Sequence, residues 1–202
     1  MCGRFVVLDD GDIEEISKIA REIDMKYNSQ NLSMKTGEVF PTNNVAILAL
    51  QNTTPTLSLM KWGFPKWDGK GVIINAKSET SAEKKMFSAA LLDRRCIIPS
   101  TGFYEWMQDV RKPKTKYKFN SPDSPMLYMA GVFTNFSSHE PNEPLTERFV
   151  ILTRAANSDI SDVHSRMPVI LYKDEISRWL RDYEYAKAIM NRETVGLTRE
   201  AI

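Results

Sequence analysis

Cys2 stands directly behind the initiator Met1 and ahead of Gly3-Arg4-Phe5. A second side chain this small permits removal of Met1, which leaves cysteine as the amino terminus. Such an end group carries an amine and a thiol on adjacent carbons. Free α-amines titrate near ~7.7–8.0 and free thiols near ~8.5, so both are partly nucleophilic at neutral pH. An aldehyde meeting this pair forms a Schiff base with the amine, and the thiol then closes a five-membered thiazolidine ring. The plain alternative is a small residue in a fraying terminus, so the decision rests on residues further along.

Four stretches bear on it. Asn75-Ala76-Lys77-Ser78-Glu79-Thr80 follows an apolar strand and leads into a capped helix. A strand end opening onto a helix start can hold an anion, because unpaired amides and the helix dipole point outward. Asn75 can orient an oxygen there and Lys77 can meet a phosphate, or the segment is turn and cap chemistry alone. In Gly102-Phe103-Tyr104-Glu105-Trp106 a lone carboxylate is enclosed by three aromatic residues. Half-buried, Glu105 would hold its proton more tightly and suit general acid–base work near neutral pH. The structural alternative is a salt bridge to Arg94 or Arg95.

His164-Ser165-Arg166-Met167-Pro168 places one of only two histidines in a loop-like context, where an imidazole can exchange protons. A lone histidine is more often structural. The other, His139, falls in an exposed excursion over 137–144 and is given no role. Trp62-Gly63-Phe64-Pro65-Lys66-Trp67 combines aromatics, a turn and a lysine, which can stack a base beside a phosphate. The basic run Arg111-Lys112-Pro113-Lys114-Thr115-Lys116 extends such a track, unless the pair is a buried turn and a solvated hairpin.

The elements that must position these residues read as follows. Helical spacing of Ile13, Ile16, Ala20 and Ile23 behind Asp12 predicts a helix over 12–25. A second helix is expected to start at Thr80 with Glu83 as its capping partner, and later ones over 175–180 and 184–190. Apolar or alternating runs at 45–50, 57–60, 72–74, 96–98, 103–106, 117–119, 127–133 and 149–152 predict strands. The expectation is one α+β domain over 1–202, built of strongly bent, barrel-like antiparallel β-sheets with a few peripheral helices.

Composition narrows the class. The 202 residues suffice for one sizeable core, and their apolar and charged fractions are those of a soluble globular protein. No apolar run reaches ~18 residues and no signal-like segment opens the chain, so a cytoplasmic protein off the membrane is expected. Two cysteines make no disulfide framework, and no Cys/His cluster has metal-ligand spacing, so neither metal nor cofactor is expected. The net charge is +1, yet residues 60–120 hold 13 Lys and Arg against 6 Asp and Glu. That balance fits an anionic partner such as a nucleic-acid backbone, or a solvated surface.

Together the motifs resemble the SRAP (SOS response-associated peptidase) family, whose members shield abasic sites in DNA. The matching pieces are Met1-Cys2-Gly3-Arg4-Phe5, Trp62-Gly63-Phe64, Asn75-Ala76-Lys77-Ser78-Glu79, Arg94-Arg95-Cys96-Ile97-Ile98-Pro99, Gly102-Phe103-Tyr104-Glu105-Trp106 and His164-Ser165-Arg166-Met167-Pro168. Each is weak alone; six in family order are specific. The resemblance implies a covalent, lyase-like crosslinking activity in which the Cys2 amine and thiol capture the open-chain aldehyde of an abasic deoxyribose in single-stranded DNA. It implies that Asn75 orients the sugar and amino terminus, Glu105 shuttles protons and His164 assists at the sugar hydroxyl and in ring opening. Arg4, Lys77 and Arg166 fall where the family grips phosphates, and Trp67 with Pro41-Thr42-Asn43 would stack on or divide the flanking bases. The product would shield the site during replication or repair, and the protein would act as a monomer.

Two spellings depart from the family. Lys77 stands where arginine is expected, which loses the bidentate fork. Ser100-Thr101-Gly102 replaces Ala-Asp-Gly, in what reads as a loop shaping substrate access. The chain stops at Ile202 without a basic tail, as in the bacterial type. Class II glutamine amidotransferases also begin Met-Cys-Gly, but their glutamine-binding loops have no match here. A thiol peptidase using Cys2, Glu105 and His164 in trans, or for self-removal of Met1, is a third reading. A plain single-strand-binding module, indifferent to Cys2, is the non-enzymatic one.

Overall fold

The run Arg95–Ser100 is buried at every position, a pattern sustained by a strand covered on both faces. It lies at the centre of an α+β fold seen in a computed structural model, which describes residues 2–7, 14–30, 32–107, 114–137, 145–192 and 196–202. The first half comprises β1 (Arg4–Val7), α1 (Glu14–Tyr27), β2 (Gly37–Val39), β3 (Asn44–Gln51), β4 (Thr54–Trp62), β5 (Phe64–Pro65), β6 (Val72–Ile73), β7 (Asn75–Lys77), α2 (Ser78–Ser81) and α3 (Lys85–Asp93). It continues with β8 (Arg95–Ser100), β9 (Gly102–Met107), β10 (Thr115–Asn120), β11 (Leu127–Phe136) and β12 (Thr146–Ala155). The last elements are β13 (Arg166–Pro168), β14 (Ile170–Leu171), α4 (Ile176–Arg181), α5 (Tyr183–Asn191) and β15 (Thr198–Ala201).

Strand pairing explains the bending. Stepping from β12 to β4, β3, β8 and β11 returns to β12, so these five strands close into a small barrel without free edges. A second sheet of five strands runs β15-β10-β9-β1-β2, antiparallel throughout. The two are joined where β8 becomes β9. Thr101 donates its backbone N–H to the Val6 carbonyl at 2.8 Å, and its hydroxyl reaches the same oxygen at 3.1 Å. Gly102 follows with φ +153°, and a Cβ there would lie 2.7 Å from the Phe119 carbonyl oxygen. Ser100-Thr101-Gly102 is therefore a buried corner between the sheets, which corrects the expectation of a loop; packing forces the glycine.

Helices cover the outside. Helix α1 buries Ile16, Ile19 and Ile23. Its expected cap Asp12 and Ile13 lie outside the described residues, as do His139 with most of the 137–144 excursion and residues 111–113 of the basic run. The helix expected from Thr80 is corrected. Asn75-Ala76-Lys77 is a strand, so the helix opens at Ser78 as the short α2, and α3 starts afresh at Lys85. Extended backbone at Lys84, φ −81° and ψ 120°, makes the break, and no side chain caps the new start.

Arg95 is 4% exposed and does not reach Glu105. Its guanidinium donates to the carbonyls of Leu91 and Leu92 at one side and of Trp179 and Leu180 at the other. One cation thereby satisfies the carboxyl-terminal ends of α3 and α4, where the helix dipole favours positive charge. Arg94 pairs with Asp93. No helix among the described residues is long and apolar enough to cross a membrane.

Candidate active site

Pairing of β1 with β9, through Arg4 opposite Tyr104 and Phe5 opposite Phe103, draws the start of the chain against the strand that carries Glu105. Cys2 is 0% exposed. Its Sγ makes a long contact, 3.7 Å, to the Arg4 carbonyl. Burial pushes the thiol well above its ordinary range, and the Glu105 carboxylate adds to the shift, so the two lie within electrostatic reach. The resting side chain is the neutral thiol.

Asn75 arrives from another direction. Strand β7 lies parallel beside β12, with Asn75 opposite Ile151, and the expected passage from strand end to helix start falls at Lys77-Ser78. From there Asn75 Nδ2 donates to the Cys2 carbonyl at 3.0 Å. Its Oδ1 is buried and makes no hydrogen bond to the described residues.

Glu105 is 3% exposed, and burial raises its carboxyl above the usual carboxylate range, with His164 pulling the other way. His164 sits at the end of a tight turn, its backbone N–H donating to the Ile160 carbonyl at 2.9 Å. Its Nδ1 accepts the backbone N–H of Arg166 at 2.9 Å. The Arg166 carbonyl lies 3.2 Å from the same nitrogen, so the Arg166 main chain brackets one edge of the ring with both a donor and an acceptor. The structure thus brings Cys2, Asn75, Glu105 and His164 together from four separate segments.

Beside them opens a cavity of about 310 Å³ lined by Gly3, Arg4, Glu105, Trp106 and Lys114. The Arg4 guanidinium lies 4.2 Å from the Phe40 ring centroid and 5.2 Å from that of Trp106. It also donates to Glu38 at 3.1 Å, and Lys116 donates to both Glu38 oxygens at 3.0 Å. Phe40 leads into the Pro41-Thr42 turn, closed by Asn43 Oδ1 accepting the Phe40 N–H at 2.9 Å. Thr42 adopts φ +73° and donates to the Trp62 carbonyl at 2.8 Å, so Pro41, Thr42 and Asn43 border the Arg4 cluster through Phe40.

Other expected contacts divide. Trp62 and Phe64 are buried core, whereas Trp67 is 102% exposed on the turn between β5 and β6. Lys77 is exposed at the end of β7. Arg166 does not present a bare fork. Its Nη1 and Nη2 donate to the two Glu79 oxygens at 2.6 and 2.8 Å, and Nη2 also reaches the Thr153 carbonyl at 2.6 Å. Reasoning from sequence missed Glu38 and Glu79 as partners of the cations. Among the described residues no cluster of three or more candidate metal ligands occurs.

A family model for SOS response associated peptidase (SRAP) matches residues 1–197, and the chain belongs to that family. It is 31% identical over 192 residues to the abasic site processing protein YoaM of Bacillus subtilis (strain 168), covering 89% of this chain and 79% of that one. It is 27% identical over 184 residues to the abasic site processing protein YedK of Escherichia coli (strain K12), covering 90% and 80%. A solved structure of a Bacteroides thetaiotaomicron protein superposes with a TM-score of 0.80 at 23% identity, covering 100% of this chain and 92% of that one, a likeness of fold.

Proposed function

We propose that this protein processes abasic sites by bonding to them in single-stranded DNA through Cys2. Support comes first from the arrangement that holds the Cys2 carbonyl on Asn75 with the Glu105 carboxyl and His164 close by. The names of its relatives support the processing of abasic sites. Once Met1 is removed, the Cys2 amine adds to the C1′ aldehyde of the ring-opened sugar, giving a carbinolamine. Protonation of that hydroxyl expels water and leaves an iminium ion. The thiol sulfur then adds to the iminium carbon while its proton returns to the base that had given up its own, closing the thiazolidine. One water is lost overall, and nothing is oxidised or reduced.

The residues divide this work by chemistry. A raised carboxyl on Glu105 donates the proton that expels water and recovers one from the thiol. It suits the second task because the buried thiol does not ionise unaided. Asn75 fixes the Cys2 backbone so that amine and sulfur meet one carbon, and its buried Oδ1 is left to accept from a sugar hydroxyl or the freed amine. His164 serves the sugar hydroxyl through its imidazole. Arg4, Lys77 and Lys114 supply positive charge for phosphates, and Trp67 offers a face for a base. Single strands are favoured because no partner base resists extrusion of the sugar.

The test is a denaturing gel of protein with single-stranded DNA bearing one abasic site, beside undamaged DNA and the Cys2→Ala protein. Intact mass establishes removal of Met1. The expected result is a band that survives denaturation, only on abasic DNA and only with Cys2. Absence of that band from protein shown to lack Met1 overturns the proposal, and a glutaminase assay follows.

A further inference from the structure

Resting on that reading, we propose that Glu38 is a specificity-determining residue: its carboxylate occupies a phosphate seat formed by Arg4 and Lys116 and so disfavours undamaged strands. Strand register puts the parts on one face of the second sheet. Val6 lies opposite Glu38, Arg4 opposite Tyr104 and Trp106 opposite Lys116, so alternation collects Arg4, Glu38, Tyr104, Trp106 and Lys116 there. Phe5, Phe103 and Phe119 on the other face are buried core. Glu38 on β2 reaches past β1 and β9 to Lys116 on β10.

Lys116 donates to both Glu38 oxygens at 3.0 Å and Arg4 to one at 3.1 Å. Two cations thus converge on one anion, an arrangement that suits phosphate oxygens as well as a carboxylate. Aromatic faces keep the cations in place once the carboxylate leaves. Lys116 Nζ lies 3.9 Å from the Tyr104 ring centroid, and the Arg4 guanidinium 4.2 Å from that of Phe40. Burial works against charge on Glu38, yet the bonds from Lys116 and Arg4 hold its carboxyl below the usual range, so it is an anion at neutral pH. Its side chain is 29% exposed, so an arriving strand meets it. Arg4 and Trp106 also line the cavity that Glu105 borders, which sets the seat beside the reacting groups. A strand captured at Cys2 presents its neighbouring phosphate at high effective concentration and displaces the carboxylate. An undamaged strand has no such anchor and meets like charge.

The test compares wild type with Glu38→Gln, each with and without Lys116→Met, by fluorescence anisotropy on an undamaged single strand over a series of salt concentrations. Glu38→Gln should bind about 3- to 30-fold more tightly at low salt, and its plot of log affinity against log salt should steepen by about 0.7 for each phosphate gained. With Lys116→Met present, most of that gain should vanish, because the two residues share one seat. Undamaged strand should also inhibit crosslinking by Glu38→Gln at about 3- to 30-fold lower concentration than it inhibits wild type. Glu38→Asp, which keeps the charge but withdraws it by one carbon, covers the case in which Glu38→Gln does not fold, and should show part of the gain. Equal or weaker binding by the folded variants, at an unchanged salt slope, overturns the inference and leaves Glu38 orienting Arg4. So does a gain that survives Lys116→Met in full, which would report general charge and not a shared seat. Should wild type form no crosslink, binding of the undamaged strand still decides the role of Glu38, and the failure belongs to the proposed function.

Discussion

Asn75 and Cys2 are 73 residues apart in sequence and are joined by a single hydrogen bond, Nδ2 to the carbonyl oxygen at 3.0 Å. That bond ties the start of the chain to strand β7 on the closed barrel, while β1 ties it to the second sheet. The amino terminus is thus restrained from both sides before any ligand arrives. Losing this bond while burying the bare carbonyl costs about 1–3 kcal/mol. Asn75→Ala should therefore lower both the melting temperature and the crosslinking rate, in thermal melts and single-turnover gels respectively.

The amine and the thiol have separable roles. Cys2→Ser keeps the amine and replaces the nucleophile that closes the ring. With Met1 removed, it should give no stable band by itself but a band after borohydride reduction of the imine. Cys2→Ala should behave likewise. A stable unreduced band from either variant would show that sulfur does not close the linkage.

Glu105 and Glu79 should move stability in opposite directions. Burial raises the Glu105 carboxyl, so the native protein favours its neutral form. That contribution is full below the ordinary carboxylate value of ~4.3 and is lost as pH rises through the raised native value. Glu105→Gln should accordingly melt higher than wild type at neutral pH, with slower crosslinking. Arg166 holds Glu79 down at about 2, so its contribution is present above ~4.3 and disappears as pH falls through that low value. Glu79→Gln should melt lower at neutral pH, and both differences should close in acid. Melting curves across pH provide the check.

Trp67 makes a clean test of base stacking because it is fully exposed. Its removal should leave the melting temperature unchanged. Stacking on an aromatic residue is worth about 1–3 kcal/mol per base, so Trp67→Ala should weaken binding to single-stranded DNA by about 5- to 150-fold. Fluorescence anisotropy on undamaged strands reads this apart from the covalent step.

Arg95 serves stability rather than chemistry. Replacing it by Met strands four carbonyls at two helix ends and should cost about 2–4 kcal/mol in urea unfolding. The crosslinking rate of the protein that remains folded should not change.

Much of this was legible in the sequence, for identifiable reasons. Strands β8 and β11 announce themselves because they are buried along most of their length, and the long strands β3, β4 and β12 because each carries several buried apolar residues. Strands of two to four residues, such as β7 and β13, have too few positions to show a period, yet they carry Asn75 and Arg166. Closure of the barrel depends on pairings between distant segments and leaves no local mark. Cys2, Asn75, Glu105 and His164 were nameable from residue type and motif. That Arg166 would be spent on Glu79 was not, because an arginine fork reads the same toward a carboxylate as toward a phosphate.

The complete burial of Cys2 bears on how long an adduct would last. On the proposed chemistry, the sugar carbon is joined through a side chain that packs into the hydrophobic core, with its amine opened only by removal of Met1. Hydroxide or a stray amine must pass the protein before it can remove a C2′ proton and break the strand. Persistence is then governed by how often the fold opens around the linkage, and not by the lability of the ring in free solution. Folding stability becomes a clock for the lesion: a weakened frame such as Arg95→Met should release its strand sooner, in step with its population of open molecules.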